Sequence, residues 1–329
     1  MAAGGQPAVF YLEADEYPCM NVRGERECRD CGNRWSYYET GAIECPQCES
    51  LRSVGVAERA THTDTPVTLE LNAHRTRFGE ARGTLPSEGV DELKRDLRRY
   101  VHKRGFINGG DLRRLDSTYL AARELIEAVD VYDRLRDPTE FDREYLLALL
   151  AGADEGDRPE AAAVPDGMWE ARGMAAARAV GEFREDALTF LDELAAGENA
   201  AAEPTGDFGR DEAAEASSTV SVSTNGESAV DGANRVEPAR DVLGQIRDQT
   251  KRLEALQGGV DPETADALVD AANAVGDYVR AGDPEALSRA ADELDDLEPS
   301  QGAGRNEQVR RPFLTTVRLG TSRTDGPSG

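Results

Sequence analysis

Four cysteines stand in two pairs, Cys28-Arg-Asp-Cys31 and Cys45-Pro-Gln-Cys48, with thirteen residues between them. Two Cys-x-x-Cys turns brought together place four thiolates at the corners of a tetrahedron, each about 2.3 Å from a divalent metal that prefers sulfur and needs no redox partner. The spacing predicts one zinc ion held by Cys28, Cys31, Cys45 and Cys48. A tetrahedron filled by protein sulfur has no position left for water or substrate, so this is not the metal site of a hydrolase. The fifth cysteine, Cys19, is then alone, and the chain has no disulfide framework. Cys19 precedes Met20-Asn-Val-Arg-Gly, which makes a natural beginning; residues 1–19 carry no periodic pattern and read as a disordered extension ahead of the true start.

Between the pairs, Trp35, Tyr37, Tyr38 and Ile43 favour extended backbone and Gly41 supplies a turn. This predicts a β-hairpin between the two cysteine turns, with Trp35 and Tyr37 on one strand face and Tyr38 on the other. A third short strand follows from Leu51 to Val56. So few residues cannot build a core alone, and the metal replaces it. Residues 22–56 therefore resemble the zinc ribbons of transcription factor B and of archaeal RNA polymerase accessory proteins. The resemblance implies the metal ligands only: the gap is shorter than in transcription factor B, and Glu49 stands where that ribbon has a glycine. The cysteine pairs are also similar to those of rubredoxin, an iron protein, but the spacing is too short for that fold.

Arg23, Arg26, Arg29 and Arg34 surround the first pair and lead into the aromatic residues. Arginine and aromatic groups interleaved in this way suit a stacking surface for single-stranded nucleic acid, with Arg34, Trp35, Tyr37 and Tyr38 as the candidate recognition residues. A second reading is open: four thiolates around a divalent ion leave two negative charges that nearby arginines neutralise, while part of the aromatic set covers the small sheet.

The elements around this module are helical. Residues 57–86 read as an irregular linker with one plausible strand, Pro66 to Leu71, and with His62 and His74 as surface loop residues. From Ser87, apolar residues recur at helical spacing: Val90, Leu93, Leu97, Tyr100 and Val101, then Ala121, Leu125, Ala128, Val129, Tyr132 and Leu135 after Asp116. Asp137-Pro138-Thr139-Glu140 opens a third helix with Phe141, Tyr145 and Leu149 inward. Trp169, Gly173, Ala176, Val180, Phe183, Ala187, Phe190 and Leu194 form a long seam for partner helices in one bundle. Residues 87–196 thus predict a four-helix domain. Residues 197–236, poor in apolar groups, predict a disordered acidic linker. Residues 237–298, with Asp261-Pro262 and Asp283-Pro284 as helix starts, predict a small three-helix unit that needs to dock on the bundle or on a second copy. Residues 299–329 read as a mostly disordered tail. The predicted class is mainly α, with a small N-terminal β zinc ribbon.

A formal net charge of -26, from 64 acidic and 38 basic residues, resembles the cytoplasmic proteins of salt-in halophilic archaea. Against it stands one basic island, Lys94 to Arg114, whose Arg95, Arg98, Arg99 and Lys103 either contact phosphate or pair with acidic helices. The chain has no apolar run long enough for a membrane span and no export-signal pattern, so a cytoplasmic protein is expected. No phosphate-binding glycine loop, nucleophile constellation or small-molecule site is evident, so no enzyme is expected. The whole arrangement resembles uncharacterised haloarchaeal proteins with a transcription-factor-B-type zinc ribbon. The function expected is a zinc-dependent recognition module for nucleic acid or transcription proteins; the alternative is a protein interaction scaffold with the ribbon as a structural cap.

Overall fold

The computed structural model describes residues 20–78, 89–202 and 226–297. The N-terminal part holds β1 (Met20–Arg23), β2 (Glu25–Cys28), β3 (Arg34–Ser36), a single helical turn α1 (Tyr37–Thr40), β4 (Ser53–Gly55) and β5 (Arg59–His62). β2 is the middle strand of an antiparallel sheet of order β3-β2-β4, and β1 pairs antiparallel with β5. The third strand lies within its predicted range. The hairpin between the cysteine pairs does not form: β3 pairs with β2, the strand that ends at Cys28. After Ser36 the chain turns helical, closed by Gly41 N–H to Tyr37 C=O at 2.7 Å and Thr40 Oγ1 to Ser36 C=O at 2.9 Å. Tyr37 and Tyr38 therefore leave the strand.

The segment after the ribbon also differs from expectation. Its strand is β5, while Pro66 to Leu71 has no strand partner and inserts Leu69 and Leu71 into the core. A short helix, α2 (Asn72–Phe78), follows. His62 and His74 are buried, at 6% and 4% exposure, and are not surface loop residues. The His74 ring meets Asp96 at 3.1 Å. His62 Nδ1 accepts the Gly109 N–H at 3.3 Å. Burial lowers the His62 pKa, opposed by Asp64 and aided by Arg113. The unfolded chain therefore binds a proton more readily, so this contribution to stability is complete above the ordinary histidine value near 6.5 and is lost as pH falls below it. His62→Gln should flatten the pH dependence of the unfolding midpoint in that window.

The helical body comprises α3 (Val90–Lys103), a tight hairpin β6 (Ile107–Asn108) and β7 (Asp111–Leu112), α4 (Ser117–Arg134), α5 (Glu140–Gly152), α6 (Trp169–Ala202), α7 (Gly226–Ala255), α8 (Pro262–Ala281) and α9 (Pro284–Leu297). Asp116 caps α4 by accepting the Tyr119 N–H at 2.8 Å, as expected of a short carboxylate before a helix. Ser87 lies outside the described residues, and Gly89 stands at the N-cap of α3. At α5 the cap is Thr139, and its capping box is closed by Asp142 rather than Glu140. That places Phe141 on the solvent side at 73% exposure, while Tyr145, Leu146, Leu149 and Leu150 turn inward. Helix α7 begins at Gly226, ahead of the predicted resumption at Glu237, and α6 runs on to Ala202. The intervening residues 203–225, the extension 1–19 with Cys19, and the tail 298–329 lie outside the described residues.

The seam on α6 finds its partners within the chain, since α6 packs against α4, α7 and α8. One hydrophobic core runs from Leu69 to Leu297, so the last three helices share apolar surface with the earlier ones. Phe106 sits edge-on to Tyr119 and Phe183 at its centre, with ring centroids 5.1 and 5.4 Å away. No described helix is long and apolar enough to cross a membrane. With 26 excess negative charges, self-repulsion opposes the folded state until salt screens it. Going from about 0.1 M to about 1 M potassium chloride shortens the screening length from ~10 Å to ~3 Å, and the thermal unfolding midpoint should rise across that range.

The cysteine-bearing N-terminal part is tied to the body through β5. Thr63 and Asp64 N–H groups both donate to Ile107 C=O, and Gly110 N–H donates to Thr61 C=O. The buried Asp64 carboxylate accepts from Arg104 at 2.7 and 2.8 Å, and Arg104 also reaches Asp116 at 2.8 Å. Asp186 of α6 accepts from Thr63 Oγ1 at 2.7 Å and from Phe106 N–H at 2.5 Å. Residues 61–64 of the expected irregular linker thus form a fixed joint, and residues 79–86 of it lie outside the described residues.

Candidate metal centre

The two cysteine turns have the same backbone. Cys28 N–H donates to Asn33 C=O and Gly32 N–H to Cys28 C=O, at 2.8 and 3.0 Å. Cys45 N–H donates to Ser50 C=O and Glu49 N–H to Cys45 C=O, at 3.0 and 2.9 Å. Each turn ends on a residue of positive φ: Gly32 at 73° and Glu49 at 58°. Glycine adopts this region freely, whereas a residue with a Cβ pays about 1–2 kcal/mol. Because glycine also loses about 0.5–1 kcal/mol of chain entropy, Glu49→Gly should stabilise the metal-loaded ribbon by a net ~0.5–1 kcal/mol, read as a higher thermal midpoint.

The repeated turn brings the four sulfurs together, all within 4.8 Å of one another. The Cys28–Cys48 and Cys31–Cys45 sulfurs are 3.6 Å apart. A tetrahedron with a centre about 2.3 Å from each sulfur has an edge of ~3.8 Å, so one ion fits the cluster. Cys28 and Cys45 are buried, and Cys31 and Cys48 face outward. Asp30 N–H points at Cys28 Sγ at 3.4 Å, and the Asn33 amide approaches Cys45 Sγ at 3.9 Å.

These contacts set the thiols apart electrostatically. Burial opposes the Cys45 thiolate, yet the N–H groups of Cys48 and Gln47 and the neighbouring thiols bring it down to about 6. For Cys48 the Ser50 N–H favours the thiolate, but Cys31, burial, Cys28 and Cys45 prevail and push it up to about 12. Protons thus leave the cluster unequally, and a divalent cation supplies the charge that lets all four ionise.

The predicted recognition residues are placed as follows. Trp35 is buried at 7% exposure against Cys28 and Cys45, and its indole N–H donates to Ala42 C=O at 2.9 Å. Its ring is therefore largely enclosed beneath the two cysteine turns. The Tyr38 O–H donates to Val22 C=O at 2.9 Å, and its ring packs on His62 and against Gly24 and Gly109, where a Cβ would collide. Tyr37 is half-buried, edge-on to His62 at 6.0 Å. Arg34 is exposed and paired with Glu27 at 2.6 Å, and Arg52 pairs with Asp30 at 2.8 Å. In the basic island, Lys94 pairs with Asp130 of α4, with Arg98 3.9 Å from the same carboxylate. Arg95 meets Glu92 at 3.8 Å and Arg99 meets Asp96 at 3.6 Å, both on α3 itself. Lys103 is exposed in the last turn of α3, where a cation complements the helix dipole.

Sequence reasoning missed Arg59 and the contact of Arg26 with Ser53. Their signal is pairing across strands β1-β5 and β2-β4, which no local pattern carries. A family model described as a family of unknown function, DUF7117, matches residues 20–210 and 210–294. No curated protein and no solved structure matches the chain.

Proposed function

The chain belongs to this family of unknown function, DUF7117, and from that premise we propose that it is a non-enzymatic zinc-binding protein. In this reading its ribbon is a structural cap on a helical interaction scaffold. Cys28, Cys31, Cys45 and Cys48 hold one zinc ion, whose preference for four sulfurs matches the donor set. The observation that carries the reading is the direction of the aromatic side chains. Trp35 fills the space beneath the metal turns, and Tyr38 fills the joint to the body. A recognition surface for bases needs those rings exposed. The partner surface is accordingly assigned to the helices, with a protein as the partner.

Replacing Trp35 with alanine separates the readings. Truncating a buried tryptophan costs about 3–5 kcal/mol, so as part of a cap its loss should loosen zinc, seen as faster transfer of the metal to a competing chelator. As a recognition residue, its loss would leave zinc retention at the wild-type level and remove only the binding of a partner, and that result would overturn the cap.

A further inference from the structure

Where the ribbon's two sheets meet, Asn21, Val22, Arg23, Arg26, Gly55 and Arg59 line an open cleft of about 290 Å³. Among the described residues, three arginines and no carboxylate line it, in a chain with 64 acidic residues. Among the described residues no carboxylate lies within 4.0 Å of these three guanidinium groups, although Arg34 and Arg52 of the same ribbon are both paired.

The arrangement is built. Arg23 and Arg59 are directly opposite on β1 and β5, so their side chains share a face, and like charges so placed oppose strand pairing. Gly55 faces Arg26 across β2 and β4. A Cβ on Gly55 would stand 2.6 Å from Cβ of Arg23 and 3.0 Å from its Cδ, so the Arg23 stem lies across that glycine. Arg26 is oriented by Ser53: its Nε and Nη2 donate to Ser53 Oγ at 3.1 and 3.0 Å. Ser53 Oγ in turn donates to Ile43 C=O at 2.6 Å. Two opposed cations and a third held by a side-chain hydrogen bond form a cradle for an anion with several oxygens, because a guanidinium fork matches that geometry.

We propose that this cleft is a phosphate-binding site, taking a phosphate group either as a small free anion or in the backbone of a single-stranded nucleic acid. It is independent of the scaffold reading, because it uses arginines of β1, β2 and β5 and none of the buried aromatic residues. The phosphate relieves the repulsion between Arg23 and Arg59, so binding and strand pairing support each other.

The test uses the zinc-loaded full chain at the lowest salt that keeps it folded. Inorganic pyrophosphate is titrated by calorimetry, and a fluorescein-labelled single-stranded oligothymidine by anisotropy. Saturable binding of either probe, weakened about tenfold or more in the double variant Arg23→Ala/Arg59→Ala with zinc content unchanged, is the expected result. For the oligonucleotide, the slope of log affinity against log salt should also fall by roughly 1–2 in that variant. Binding of pyrophosphate alone assigns a small anion, and binding of the oligonucleotide alone assigns a backbone phosphate. The double variant removes a like-charge pair, so its thermal midpoint should not fall. Ser53→Ala, which frees Arg26 without changing charge, should weaken binding by a smaller factor. Failure of both probes to saturate, equal affinity in wild type and double variant, or an equal loss in Arg52→Ala would each overturn the site.

Discussion

Arg172→Ala lowers the unfolding free energy by about 3–5 kcal/mol, the range for removing one partner from a buried ion cluster. The Arg172 side chain is 4% exposed, and Glu124 opposite it is wholly buried. Its Nη1 reaches both Glu124 oxygens at 3.0 and 3.2 Å and the Pro159 C=O at 2.9 Å. Its Nε and Nη2 grip Asp266 at 3.0 and 2.5 Å. Burial works against this charge, but Asp266 and Glu124 outweigh it and hold the guanidinium well above its ordinary value. One side chain of α6 thereby joins α4 to α8. Without it, Glu124 keeps, among the described residues, Arg158 at 2.6 Å and the Tyr145 O–H, so a carboxylate remains buried with part of its compensation gone. Denaturant titration should show a lower midpoint with an unchanged slope and a single transition, because the last three helices share the core of the earlier ones. A loss below about 1 kcal/mol would mean that the cluster is not a structural tie.

Cys45→Ser, or removal of metal by a chelator, should abolish order across residues 25–55. Structural zinc contributes about 10–16 kcal/mol to the folding of zinc-finger peptides, and among the described residues the apolar cluster of the ribbon is Cys28, Trp35 and Cys45. Nothing else there can replace the ion. The main core includes none of those three residues, so the helices should stay folded. Hydrogen exchange is the measurement: protection of the Cys28, Gly32, Cys45 and Glu49 amides should vanish, while the amides of α4 and α8 keep theirs. Melting of α4 and α8 along with the ribbon would show that the metal supports the whole body instead of capping it.

What was legible in the sequence was local. The cysteine spacing found four sulfurs that meet, Asp261 found a real helix cap, and the α6 seam found a helix whose buried face runs from Ala171 to Leu191. A cap or a metal turn involves residues three to five apart, so its signal is written in order. What stayed hidden depended on distant partners. β2 and β5 are short strands specified by β3, β4 and β1, and nothing in Glu25–Cys28 or Arg59–His62 taken alone marks them. Tyr37 and Tyr38 have strand propensity, but tertiary packing on His62 places them on a helical turn. His62 and His74 sit in a segment without periodicity, and their contacts, to Gly109 and Asp96, are remote in the chain. The basic island was visible as composition, but its pairing with Asp130 required the packing of α3 on α4. Thr139 and Asp142 took the capping box from Asp137 and Glu140, and that two-residue change of start turned Phe141 outward.

The most direct measurement is the metal content, by plasma mass spectrometry, of protein purified without chelator, for wild type and Cys45→Ser side by side. One zinc per chain in the wild type and none in the variant is the predicted result. Iron in place of zinc, no metal in the wild type, or an equal zinc content in both proteins would contradict the account.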